Sequence, residues 1–197
     1  MTASRIATET AMTSAQRPVD ESANLVTHGL GFLLSLVATV YCSTLVVLYA
    51  ASTLSHTFHD LKLRRWFRTF DQACIFLLIA GSFTPYAVIF LNHGWWCLLL
   101  WTMWGLGFSG VVIVLRRRDL SGPAKFSYGV MGWLPVVSLW ELYHRAPLDM
   151  LLWLVAGGAF YSIGAIFLAL DRQVRYFHAV WHVLVVAGSI CHYVGVI

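Results

Sequence analysis

Apolar residues run along this chain in long unbroken blocks, at about 25–55, 72–91, 95–115, 126–143, 148–170 and 177–197. Short polar connections separate them: HDLKLRRWFRTFD, NHG, RRRDLSGPAK, HRAP and DRQVRYF. A block of about 18 or more apolar residues is long enough to cross a hydrocarbon core about 30 Å thick. Lipid offers no partner to backbone polar groups, so a crossing segment must be a helix or part of a closed barrel. Barrel strands alternate apolar and polar residues. These blocks do not alternate, which predicts an all-α, polytopic transmembrane helix bundle with six clear spans. Residues 21–197 form one membrane domain. Residues 1–20 (MTASRIATETAMTSAQRPVD) are polar and lack the basic start, apolar centre and cleavage site of a signal peptide, so they read as a mobile tail.

The first block leaves a choice open. Leu25 to Ser55 would span roughly 46 Å as a helix, long for one crossing and short for two with a turn. One crossing gives six helices and an external N-terminus; two give seven and an internal one.

Composition agrees with the pattern. The chain is 59% apolar and 11% charged, against about 25% charged for a soluble domain. The net charge of +4 does not point to nucleic acid, because the basic residues sit between apolar blocks. Crossings alternate, so the connections fall on alternate sides. Lys62, Arg64, Arg65, Arg68, Arg116, Arg117, Arg118, Lys125, Arg172 and Arg175 fall on one side, and Arg145 alone on the other. Basic residues mark the cytoplasmic side, which places Ile197 outside a multi-pass protein of the cell inner (plasma) membrane. Cys42, Cys74, Cys97 and Cys191 all lie within apolar blocks without CxxC spacing, and read as packing residues.

Ionisable groups at membrane depth are costly and need a reason. His178 and His182 are four apart in RYFHAVWHVLVVAG, on one helix face one turn apart. That spacing suits one metal ion, and equally suits two interfacial histidines satisfied by water. His56 ends the first block, with Ser52 one turn before it on the same face; ordinary interfacial polarity is the alternative for His56. His59 is a rival ligand, further out beside Asp60. Asp71 opens the second block, where an acidic residue is favoured by the helix dipole alone. Parity adds what spacing cannot: His56, Asp71, His178 and His182 all fall at the same membrane depth. Three imidazoles with one open position match a catalytic zinc site, with a carboxylate beside it to hold the water. Zinc lowers the pKa of such a water from about 15.7 to about 7. His28 reads as interfacial, His93 and His144 fall on the outer side away from this cluster, Glu141 reads as hydrated near the outer end of its helix, and His192 as a hydrogen-bonded core residue. Gly105, Gly107, Gly110, Gly157 and Gly158 read as close helix packing, and Pro85 as a bend.

The sequence resembles the hemolysin III family, the bacterial branch of the progestin and adipoQ receptor superfamily. The resemblance covers about residues 21–197 and rests on ESANLVTHGLGF, LYAASTLSH, FDQACIFLLIAGSFTPY, MGW at 131–133 and HAVWHVLVVAGSICHY. It implies a seven-helix fold with a zinc ion near the cytoplasmic face. His56, His178 and His182 match the metal-binding histidines, Asp71 the acidic residue beside the metal, and Ser52 the serine of the first motif. The sequence departs from the pattern between THGLGFLLSLVAT and VYCSTLVVLYAASTLSH, where an outer loop and adjoining helix ends are missing. The superfamily resembles alkaline ceramidases in these motifs, which implies a zinc-dependent hydrolase of lipid amides or esters, with Asp71 and Ser52 as catalytic groups and membrane lipids as partners. The other class is non-enzymatic: a hemolysin-type cytolysin, or a receptor-like sensor with a structural zinc. A pore from so apolar a protein requires a homo-oligomer.

The charge asymmetry makes one prediction. A C-terminal reporter active only in the cytoplasm should be silent; a strong signal would invert the orientation and move the metal site to the outer face.

Overall fold

The structure is a computed structural model that describes residues 3–117 and 122–196. Arg118 and Ile197, both used in the orientation argument, lie outside the described residues. The chain divides into two units, Met1–Val37 and Ala38–Ile197, and the site described below belongs wholly to the second.

The described secondary structure is helical throughout. The helices are α1 (Ala3–Thr57), α2 (Leu61–Phe90), α3 (Cys97–Arg117), α4 (Gly122–Trp133), α5 (Leu139–Arg145), α6 (Leu148–Leu170) and α7 (Phe177–Val196). Among the described residues, five stretches are long and apolar enough to cross a membrane: Ser35–Thr57, Leu61–Phe90, Gly94–Arg117, Leu148–Leu170 and Phe177–Val196. The first apolar block therefore supplies one such stretch rather than two. The block at 126–143 is not one unbroken helix of that length: its path is divided into α4, a 3-10 turn and α5. Its middle, Leu134–Ser138, winds as a 3-10 turn with Pro135 at its start. Proline lacks the backbone N–H that an α-helix needs and disfavours the α conformation in the residue before it. Ser138 donates its hydroxyl to the Pro135 carbonyl at 2.7 Å, meeting part of the backbone demand that the break creates.

A second boundary differs from the sequence reading. The charged run LKLRRWFRTF, expected as a connection, forms the first turns of α2. Asp60 caps this helix, accepting from the backbone N–H of Lys62 at 3.0 Å and Leu63 at 2.9 Å. Asp71 therefore lies ten residues inside α2, roughly 15 Å from its start. That removes the helix-cap explanation for Asp71, since the dipole effect fades within the first turn.

Helix α2 is the centre of the bundle. Some 67% of its apolar window is buried, against 17% for α6. Its core residues include Phe76, Ala80, Phe83 and Tyr86, packed with Met103 and Val114 of α3 and Met131 of α4. The outward faces are apolar instead: Trp101 is 72% exposed and Val183 is 67% exposed, the inverse of a water-soluble surface. Such faces suit lipid, and the chain is a polytopic membrane protein.

Lipid provides little hydrophobic drive between helices, so close packing through small residues takes over. The strongest pairings are α6 with α7 and α2 with α3. A Cβ on Gly164 would meet the Trp181 ring at 2.9 Å, and one on Gly188 the Tyr161 ring at 3.0 Å. A Cβ on Gly110 would meet the Phe76 ring at 2.5 Å. Gly157 is similarly covered by the His192 ring. Gly105 and Gly158 break the expectation of close packing: nothing lies within 4 Å of a Cβ at either position.

This difference can be measured. Gly110→Ala should destabilise the detergent-solubilised protein by about 1–3 kcal/mol through overpacking against Phe76. Gly105→Ala should be neutral, or stabilising by up to about 1 kcal/mol through helix propensity. Equal melting temperatures for the two variants would refute the packing assignment.

Candidate metal centre

Three helices bring the polar residues together. His56 lies at the C-terminal end of α1, Asp71 within α2, and His178 and His182 in the first two turns of α7. The side-chain nitrogens of His56, His178 and His182 that converge all lie within 4.8 Å of one another. Nε2 of His178 is 3.1 Å from Nε2 of His182. The ring centroids are separated by 4.6 Å for His178 and His182, 5.4 Å for His56 and His182, and 5.6 Å for His56 and His178. His178 and His182 are half-buried, and His56 is exposed.

The residues fit a zinc ion. Two nitrogens on one tetrahedral zinc, each about 2.0–2.1 Å from it, lie about 3.3 Å apart. The His178–His182 pair is already near that spacing. The distances to His56 exceed it by no more than about 1.5 Å, and His56 is the ligand with room to move. The donor set, three imidazoles from two helices, is also one that zinc accepts with a position left open.

Ser52, His56, Asp71, His178 and His182 line one cavity of about 1010 Å³. Ser52, Arg68 and Asp71 lie together in the lining of this cavity, with Arg68 one helical turn before Asp71 on α2. Helix α4 braces this region: Tyr128 donates its hydroxyl to the Gln72 carbonyl, next to Asp71, at 2.7 Å. Away from the histidine cluster the wall is mostly apolar, with residues such as Leu78, Phe83, Leu154 and Val185. The broken helix contributes Trp133, Pro135 and Val136 to the same wall.

One neighbour was not singled out from the sequence. Asp171, at the end of α6, places Oδ2 3.1 Å from Nδ1 of His178. In the linear chain it is one charge in DRQVRYF and looks like an ordinary connection residue. Its separation of seven residues from His178 has no helical meaning across a turn. The turn itself carried the missing information: Tyr176 has φ of 68°, a left-handed conformation that redirects the chain just before α7.

The remaining candidates fall elsewhere. His59 is exposed, outside the three-histidine cluster and outside the cavity lining. His192 lines the cavity but is buried, stacked on Tyr161 with ring centroids 5.4 Å apart. Its Nδ1 has no hydrogen-bond partner among the described residues, so it departs from the expected hydrogen-bonded core histidine. Glu141 is not simply hydrated: it pairs with Arg145 at 2.5 Å and faces His93 at 3.4 Å.

The comparisons with known proteins cover this whole site. A family described as "Haemolysin-III related" matches residues 34–193, a range that contains Ser52, His56, Asp71, His178 and His182. "Hemolysin-3" of Bacillus cereus is 36% identical over 194 residues, covering 86% of this chain and 87% of that protein. "Hemolysin-3 homolog" of Bacillus subtilis (strain 168) is 31% identical over 193 residues, covering 86% and 89%. "Adiponectin receptor protein" of Drosophila melanogaster is 29% identical over 174 residues, covering 75% of this chain and 38% of its own length. No solved structure gives a match. The chain is also similar to progestin and adipoQ receptor relatives, and on these matches it belongs to the haemolysin-III-related family of membrane proteins.

Proposed function

We propose that this protein is a zinc-dependent hydrolase of lipid amides or esters, acting in membrane lipid homeostasis from the cytoplasmic side of the inner membrane. One observation carries the reading. Three converging imidazoles, a carboxylate and a hydroxyl share one end of a mostly apolar cavity of about 1010 Å³. The apolar wall suits acyl chains, and the polar end suits the carbonyl to be cleaved.

His56, His178 and His182 would hold the ion. When bound, zinc supplies a Lewis acid and lowers the pKa of a coordinated water to about 7. Asp71 stands on a different helix from the three ligands and serves as the base that accepts the water's proton. Ser52, at the same polar end of the cavity, offers its hydroxyl hydrogen to the developing oxyanion. The positive-inside count supports this orientation, with the C-terminus external.

A second reading is favoured by the names of the relatives, which speak of a hemolysin and a receptor. In it the zinc braces the helices of a cytolysin or membrane sensor, with a homo-oligomer required for a pore. The two readings part at Asp71.

The ligand assignment predicts about one zinc per chain in detergent-purified protein. His178→Ala or His182→Ala should each remove most of it, since two imidazoles hold the ion poorly. Full retention in both variants would exclude these ligands. For the chemistry, Asp71→Asn keeps the size of the side chain and removes its charge. Hydrolysis predicts a folded, zinc-loaded variant with lipid turnover reduced by about 10²-fold or more. Unchanged turnover would take Asp71 out of the mechanism. Wild-type protein that turns over no amide or ester lipid would favour the sensor or cytolysin.

A further inference from the structure

An imidazole that binds a metal offers the lone pair of one nitrogen and must carry its proton on the other. Which nitrogen does which is set by the partner of the protonated one. At His178 both nitrogens are engaged, by different groups. Nδ1 faces Asp171 Oδ2 at 3.1 Å, and Nε2 faces His182 Nε2 at 3.1 Å. The Asp171 side chain is only 15% exposed, so water competes weakly for this contact. Among the described residues no carboxylate stands in the same relation to His56 or His182.

We propose that Asp171 is a positioning residue for the metal centre: it accepts the Nδ1 proton of His178, which fixes the tautomer that turns the Nε2 lone pair toward the ion. This rests on the metal reading of the three-histidine cluster and does not depend on the hydrolytic one. The carboxylate also sets the ring's orientation. Without it the His178 ring can flip, or place its proton on Nε2, and either change withdraws a ligand. A metal-bound histidine backed by a carboxylate is also the stronger base toward the ion.

The fold supplies the means. Asp171 follows the last residue of α6, and His178 is the second residue of α7. Only the six residues 171–176 join the two helices, and Tyr176 turns them sharply. Helices α6 and α7 are held together by the close approaches at Gly164 and Gly188. The Asp171–His178 contact is therefore carried on a packed pair of helices and does not depend on the connection to hold the helices together. A merely structural tie at this point would add little to such a pair.

The test uses the full-length protein in detergent, stripped of metal by chelation. Zinc affinity is measured by competition with a chelator of known strength, and cobalt(II) absorption reports the ligand field. An asparagine can turn its amide N–H toward Nδ1 and force the proton onto Nε2, so Asp171→Asn should weaken zinc binding about 10–100-fold. Its cobalt(II) spectrum should change, while the melting temperature of the metal-free protein stays at the wild-type value. Asp171→Glu keeps the charge and should recover much of the affinity. Affinity of Asp171→Asn within about twofold of wild type would overturn the proposal. So would an equal loss in Asn and Glu variants with lowered melting of the metal-free protein, which marks a structural tie. Wild-type protein that binds no zinc would remove the metal reading and this role together. Zinc binding without lipid turnover would leave the role intact and count only against the hydrolase.

Discussion

A polar group in a bilayer must find its partner within the protein, and that demand organises this molecule from backbone to site. It forces the backbone into helices. It also governs where hydroxyls go. Thr84 bonds back to the Ala80 carbonyl, and Ser189 donates to the Val185 carbonyl while receiving the Tyr49 hydroxyl. Tyr41 reaches the Ser189 carbonyl and Tyr86 the His192 carbonyl, so two other helices are pinned to α7 by phenols. Against this background of locally satisfied groups, the three histidines stand apart. They satisfy one another in part, and they do so where a cavity opens.

Much of this was legible in the sequence, for a definite reason. Continuous apolar blocks fix crossings, and crossings fix depth by parity. Depth is what brought His56, Asp71, His178 and His182 into one plane before any contact was known. The same logic failed where charge was taken to mean a connection. Lys62, Arg64 and Arg65 are helical residues that carry α2 beyond its apolar part, behind an Asp60 cap that the sequence also contains. Reading that cap would have moved Asp71 into the helix and strengthened its case. Pro135 was equally visible, in a block whose apolar run continued past it.

Other features were not legible at all. Gly107 and Gly110 pack against α2, while Gly105, in the same short run, meets nothing. Glycine lacks a side chain, so its composition cannot say which face of the helix has a neighbour. His192 and His182 have similar apolar surroundings in the sequence, yet one is stacked on a tyrosine and the other joins the cluster. Asp171 required a turn whose backbone sign no residue type announced, since Tyr176 is not a residue that usually adopts a positive φ.

The packing suggests why the cluster lies where it does. Helices α2 and α3 form one tight pair and α6 and α7 another, while α2 meets α7 through far fewer neighbours. The broken helix walls the space beside them, where a continuous helix could have packed more closely. The result is rigid pairs with a cavity at their junction. His178 and His182 belong to one pair and Asp71 to the other, with His56 on α1. Groups on separate rigid bodies can be set at a distance that no single helix spacing provides. A divalent ion held by His56, His178 and His182 would tie α1 to the α6–α7 pair while leaving Asp71 on independent support. That separation is what a base needs if it is to act on a ligand of the ion rather than on the ion itself. It also means that loss of Asp71 would leave the three imidazoles and their packing in place.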